Sequence, residues 1–384
     1  MAGNSSNRRF ISVGLENPDG SPNGAAQVLV TLSGLSMKPN GDVINRDVVR
    51  PTMSQVGSVI GAKNWDLTIP VEATGGGMDG SSVKEPPMHA LLLSCGMANE
   101  AGAMISVSGL SGVPALGDTL SNTTTPGAVG TVAHVVVSDT PGEAVIWVRD
   151  LQTAPSAADG LSAGSATATT VSVDDALVYR PESDRTQHNT AVVNVHYDGQ
   201  RRIATRSRGD FSFDWTAGGV CKMQFVLKGL YQSPDNVALP DADYVDMEPP
   251  IAQSAGLMLG DYPTDTGTIE KMSFKLGADI VPVPDINSPN GRHSYRIKGR
   301  KPTGSIDPEV VALSDFNPFS MWENGDRAAL HMALGSTAGE RISVVVTSPR
   351  VTGVNDKERA GSDTYELPFD ATGTDDDEFY LFFH

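Results

Sequence analysis

The chain has 384 residues, with 40 glycines, 25 prolines, and 28 basic against 46 acidic side chains, a net charge of −18. That length can hold two hydrophobic cores or three small ones, and the turn-rich composition favours many short strands. The acidity argues against a dedicated binder of phosphate backbones, which needs clustered Lys and Arg, and no run approaches the roughly 18 uninterrupted apolar residues of a membrane helix.

Arg8 and Arg9 near the N-terminus are followed by no apolar segment, so no secretion or twin-arginine signal is read there. Asn17-Pro18-Asp19-Gly20-Ser21-Pro22-Asn23-Gly24 is a double turn signal and predicts an arm or extended loop. A strand through Val28, Val30 and Leu32 follows, then a long Gly-, Asn- and Ser-rich connection over residues 36–62. In Asn64–Val71 the apolar Trp65, Leu67, Ile69 and Val71 alternate with other residues and face one side. Pro86 to Gly96 predicts a helix, with proline in its first turn and glycine as its stop. Its three successive leucines, Leu91 to Leu93, mean packing against a sheet.

Residues 101–175 are dominated by Ala, Gly, Ser and Thr, with strands predicted at Val132–Val137 and Ala144–Val148. The stretch reads as a small β-domain inserted into a larger one. From Thr190 the larger domain resumes, alternating through Val193, Val195 and Tyr197 to an Asp198-Gly199 turn. A hairpin is predicted next, out along Asp210–Thr216 and back through Met223, Phe225 and Leu227. The pattern repeats late in the chain, out along Thr364–Ala371 and back through Phe379, Leu381 and Phe383. Two related β-domains in one chain are therefore expected. The proline-rich stretch 232–256 is read as the join. Further strands are predicted at Met272–Leu276, Tyr295–Ile297, Ala329–Ala333 and Ile342–Val346, and Asn317-Pro318 caps a short helix ending at Gly325.

The chemical motifs are weak. Gly75-Gly76-Gly77-Met78-Asp79-Gly80 fits a dinucleotide string but is followed by Ser81, Ser82 and a proline pair, so a flexible loop is expected. Gly160-Leu161-Ser162-Ala163-Gly164 fits a nucleophile elbow but follows no apolar strand. The seven histidines lack ligand spacing, and Cys95 and Cys221 are too few for a disulfide framework or a zinc site. A reduced, cytosolic origin follows from that cysteine usage. No enzyme, cofactor or metal is expected. Arg201, Arg202, Arg206 and Arg208 form the one basic cluster, with a solvated face as its bland reading. Asp375, Asp376, Asp377 and Glu378 are a candidate partner for it across a subunit interface. Trp65, Phe211, Phe213, Trp215, Phe225, Phe369 and Phe379 are the candidate core.

The order of elements from Thr190 to Tyr231 resembles the tail tube (major tail) proteins of long-tailed, siphovirus-like bacteriophages. Ile297-Lys298-Gly299-Arg300-Lys301-Pro302-Thr303-Gly304-Ser305-Ile306-Asp307-Pro308-Glu309 adds to it, as do Gly325–Leu330, Gly339–Ile342 and Ser348–Val351. The resemblance covers most of residues 28–384 except the insert. It implies a mainly β fold of two tandem tail-tube-type β-sandwich or barrel domains, each with a short flanking helix, plus the inserted β-domain. The expected division is 1–100 with 179–240 for the first domain, 101–178 for the insert on the tail exterior, 241–256 for the linker, and 257–384 for the second domain.

The resemblance also implies a virion structural protein, assembled in the host cytoplasm, whose stacked rings form a hollow tube. DNA would pass through that tube at ejection without specific binding or any membrane contact. Its partners would be further copies, in three-chain rings with pseudo-six-fold symmetry or in six-chain rings, and the tape measure, terminator and tail-tip proteins. The alternatives are a tail-tip or baseplate ring protein of the same fold, or a carbohydrate-binding, adhesive β-protein of a virion surface.

Overall fold

The computed structural model describes residues 9–17, 22–138, 140–239, 247–265 and 267–384. The expected turn at Pro18–Ser21 and residues 240–246, around the start of the expected linker, lie outside them. Among the described residues the strands gather into a twelve-stranded and a ten-stranded sheet with two small ribbons, and the two helices are short.

The larger sheet is built around an antiparallel run of eight strands. In spatial order these are Ser36–Ile44, Val59–Glu72, Lys222–Tyr231, Gln200–Thr216, Ile269–Lys275, Thr303–Pro308, Ser362–Ala371 and Asn355–Arg359. Four come from the first part of the chain and four from the last. Their joint is the pairing of Ser212 with Lys275 through Thr216 with Lys271. The strand Gln200–Thr216 serves two partners because it bends: its earlier part pairs with Thr190–Tyr197, which continues to Arg9–Glu16 and Pro22–Leu29. The bend is a bulge between Thr205 and Arg208, with Arg206 at φ 49°, a left-handed conformation that costs a side chain with a Cβ. The Glu16 carboxylate accepts the Arg206 backbone N–H. Burial pushes the Glu16 carboxyl up to about 7, and the Arg206 N–H works against that rise.

In the second sheet the long strands Met97–Ser111 and Ala166–Pro181 carry the insert's four strands at one end. At the other end, Leu177, Val178 and Tyr179 pair with Phe383, Phe382 and Leu381. The sheet continues through Ile342–Val346 to Leu330–Leu334. The insert has its own apolar cluster around Ile105, Leu120, Val132 and Ile146. A second cluster ties it to the body, with Trp147 and Ala133 packed among Val345, Tyr380 and Phe382. Positions 101 and 178 therefore fall inside the two long strands.

The main core unites both sheets and both halves. Phe274 stacks on Phe213 with ring centroids 5.5 Å apart and lies 4.6 Å from Phe379 of the other sheet. All seven candidate core residues belong to this cluster.

Several local expectations need correction. Ser362–Ala371 and Phe379–Phe383 do not form a hairpin, because the chain crosses between sheets after Ala371. Phe379–Phe383 is apolar on both faces and buried at all five positions, which suits an interior strand. The expected arm near residue 17 is instead the edge of a sheet, with Arg9–Glu16 and Pro22–Leu29 as strands. The first helix is shorter than predicted, His89–Ser94, and wholly buried; the chain turns at Gly96 with φ 80°. The second helix, Pro318–Asn324, is capped as expected: the Asn317 side chain accepts the Ser320 N–H.

Candidate assembly surfaces

Alternation along the eight-stranded run sends Phe211, Phe213, Met223, Phe225 and Phe274 into the core. Ser212, Asp214, Gln224, Ser273, Lys275 and Ser305 are left on the opposite face. That face holds an open groove of about 670 Å³ directly over the joint between the halves. Its charges are arranged in cross-strand pairs. Lys271 lies 2.8 Å from Asp214 and Lys275 lies 3.7 Å from Asp210. Lys222 stands opposite Glu72, and Lys228 opposite Asp66. Between the charges are hydroxyls, with Ser273 and Ser305 bonded at 2.8 Å.

The two ends of the run are edges. Ser36–Ile44 pairs only with Val59–Glu72, and Asn355–Arg359 only with Ser362–Ala371, among the described strands. Such edges are templates for pairing with another chain.

The connection predicted over 36–62 is an arm. Its base is paired, with Val43 opposite Ile60 and Ile44 opposite Val59, and these four side chains are exposed. Val49 and Met53 beyond them are fully exposed. Arg292, on the ribbon strand Arg292–Arg300, braces the arm through Asn64 and an ion pair of 2.9 Å to Asp42. A concentration of exposed apolar side chains on one projection marks an interaction site. In the sequence its length is what stands out, because connections this long within compact β-domains are usually functional or disordered; its apolar residues follow no period.

The basic cluster is largely satisfied within the chain. Arg201 pairs with Asp235, and Arg202 lies over the Tyr197 ring and donates to the Met37 carbonyl. Arg206 donates to the His293 carbonyl, and Arg208 to the carbonyls of His188, Asn189 and Tyr295. In the acidic turn, Asp376 and Glu378 share Arg300, while Asp377 accepts the backbone N–H groups of Thr374 and Asp375. The structure therefore brings each group to a partner of its own rather than to one another. Arg208-Gly209-Asp210, an adhesion-like tripeptide, lies within a strand.

The other motifs resolve as structure. A Cβ on Gly75 would fall 2.0 Å from the Gly339 carbonyl oxygen, so close backbone packing explains that glycine. Ser162 lies inside the strand Gly160–Ala163, with no elbow. Both cysteines are buried and free, and burial pushes the Cys221 thiol up to about 12. No cluster of three potential metal-ligating side chains occurs among the described residues.

Compared with known families, residues 6–373 match the model of a family described as phage tail tube protein. A comparison with curated proteins finds no match.

Proposed function

The chain belongs to the phage tail tube protein family, and from that premise we propose that three copies close into a ring and that the rings stack into the tail tube. It is a structural protein of the virion. The observation that carries the ring is the eight-stranded run, whose two halves contribute four strands each and whose two ends are open edges. The joint inside the chain supplies the pattern for the joint between chains. The two halves, 1–100 with 179–240 and 257–384, act as two tube domains, and 101–178 faces the tail exterior.

The polar face of the run lines the lumen in this reading. Its lysines sit beside carboxylates, so the wall offers DNA few unpaired cations and lets it slide at ejection. The tape measure, terminator and tail-tip proteins are the partners at the ends of the tube. An exposed aromatic pair, Phe319 with Trp322, is what a carbohydrate-binding reading calls for. The family match over nearly the whole chain outweighs it. Negative-stain imaging of the purified chain tests the proposal: rings or cylinders with an axial channel are expected. Protein that stays monomeric at high concentration, even with tail-tip nuclei added, would refute it.

A further inference from the structure

The arm and the helix Pro318–Asn324 are rooted at opposite rims of the eight-stranded run. The arm leaves beyond Asn64, which pairs with Leu230. At the other ends of the strands stand Glu72 opposite Lys222, Thr216 opposite Lys271, and Ile269 opposite Pro308. The chain leaves Pro308 at that second rim, bridges Glu309 to Thr364, and enters the helix, where Phe319 packs edge-on against Tyr365 at 5.6 Å. Trp322, one turn on, is 53% exposed, and Leu313 of the preceding loop is also 53% exposed.

The two features are chemically complementary. Residues 309–326 contain four carboxylates, Glu309, Asp315, Glu323 and Asp326, which outnumber Arg327 just beyond and the Arg350 guanidinium beside Gly325. The arm, 43–60, contains Arg46 and Arg50 against the single Asp47. Both arginines are exposed. Apolar side chains flanked by guanidinium groups on one surface fit aromatic rings flanked by carboxylates on the other. Among the described residues each chain has one such arm and one such helix, since the first helix, His89–Ser94, is wholly buried. A contact between unlike surfaces at opposite rims is heterologous and repeats without closing.

We propose that the arm of one copy docks on the Phe319–Trp322 face of a copy in the next ring, and that this contact stacks the rings and fixes their rotation. The inference rests on the ring reading above. Because the arm springs from the first half and the aromatic helix from the second, stacking places unlike halves over one another along the tube.

Cysteines introduced as Val49→Cys with Trp322→Cys test the contact directly, since the native Cys95 and Cys221 are buried. Oxidised tubes of this double variant should give a ladder of covalently linked chains, which unassembled protein and either single variant lack. Trp322→Asp and Val49→Asp should each leave rings intact and abolish cylinders, and Glu323→Arg should do the same through charge. Cylinders of normal length from Trp322→Asp would overturn the proposal. So would tubes of the double-cysteine variant that give no ladder, or glycan binding lost in Trp322→Ala while tubes persist. Failure of the unaltered chain to form rings would instead sink the ring reading itself, and this inference with it.

Discussion

His331 and Trp147 lie with ring centroids 5.0 Å apart, one on Leu330–Leu334 near the end of the chain, the other on Ala144–Arg149 in the insert. Around them stand His134, 5.3 Å from His331, and Phe382 and His384, 4.9 and 5.3 Å from Trp147. His384 Nε2 meets Ser343 Oγ at 2.9 Å, whereas both ring nitrogens of His331 and the Trp147 Nε1 are buried without a partner. The insert is therefore seated on the body through buried, neutral histidines. Burial pushes His134 down to about 4 and His331 and His384 down to about 3. Arg341, held at 3.7 Å by Asp174, adds to the depression at His384.

Acid should loosen this joint. In the unfolded chain these imidazoles protonate near pH 6.5, and in the folded chain only near 3 to 4. The unfolded state thus binds more protons as pH falls below about 6.5, and stability declines across that window. The expected loss is about 3 kcal/mol per histidine by pH 4. Between pH 7 and 4.5 the buried Glu16 carboxyl acts the other way, since it takes up its proton more readily folded than unfolded, and it offsets about one histidine's share. Melting temperature measured from pH 7 to pH 4 should still fall for the unaltered chain, and fall less for His331→Phe. Equal, flat profiles would contradict the assignment.

The joint between the halves should resist separation. Phe274 touches Phe213 of the first half and Phe379 of the second sheet. Phe274→Ala removes a fully buried ring at a cost of about 3–5 kcal/mol. Denaturant titration should show one transition at a lower midpoint that still unfolds both halves together. Two separate transitions in the unaltered chain would show that the halves fold independently.

What the sequence made legible follows from where each strand lies. Asn64–Val71 and Asp210–Thr216 have one apolar face, so their period of two was visible. Ile342–Val346 and Phe379–Phe383 are buried on both faces, and a short apolar run does not say which sheet it joins, so the crossover after Ala371 looks like a hairpin return in the sequence. The pairing of Ser212 with Lys275 joins residues far apart in the chain, and alternation alone sets no partner. The partners of the arginine cluster within the chain are hidden in the sequence for another reason. Arg208 is satisfied by backbone carbonyls, and a carbonyl partner leaves no mark in residue type.

Charge pairing on the polar face should govern how DNA moves. Asp214→Asn with Glu72→Gln leaves Lys271 and Lys222 without their cross-strand carboxylates. Tubes of the double variant should retain duplex DNA at low salt and release it as salt rises from about 50 to 200 mM, the signature of counterion release. Unaltered tubes should let DNA elute throughout. Retention by both alike, or by neither, would place that face away from the lumen.

The number of chains per ring follows from strand arithmetic. Each chain offers eight strands to a closed wall, so three chains give 24 and six give 48. Strands about 4.8 Å apart and tilted by about 40° make a 24-stranded wall about 48 Å across at the backbone, and a 48-stranded wall about 96 Å. After inward side chains are allowed for, the first admits one DNA duplex with its ion atmosphere, and the second would hold several abreast. The internal joint points the same way, since it already pairs an end strand of one half with the first strand of the other, the contact that successive chains must reproduce. Three chains per ring are expected, with Asn355–Arg359 of one chain meeting Ser36–Ile44 of the next. Cross-sections of the assembled tube should show three-fold symmetry with six similar lobes, and mass per ring should equal three chains. Six chains per ring, or a wall in which either edge strand faces solvent, would refute this closure.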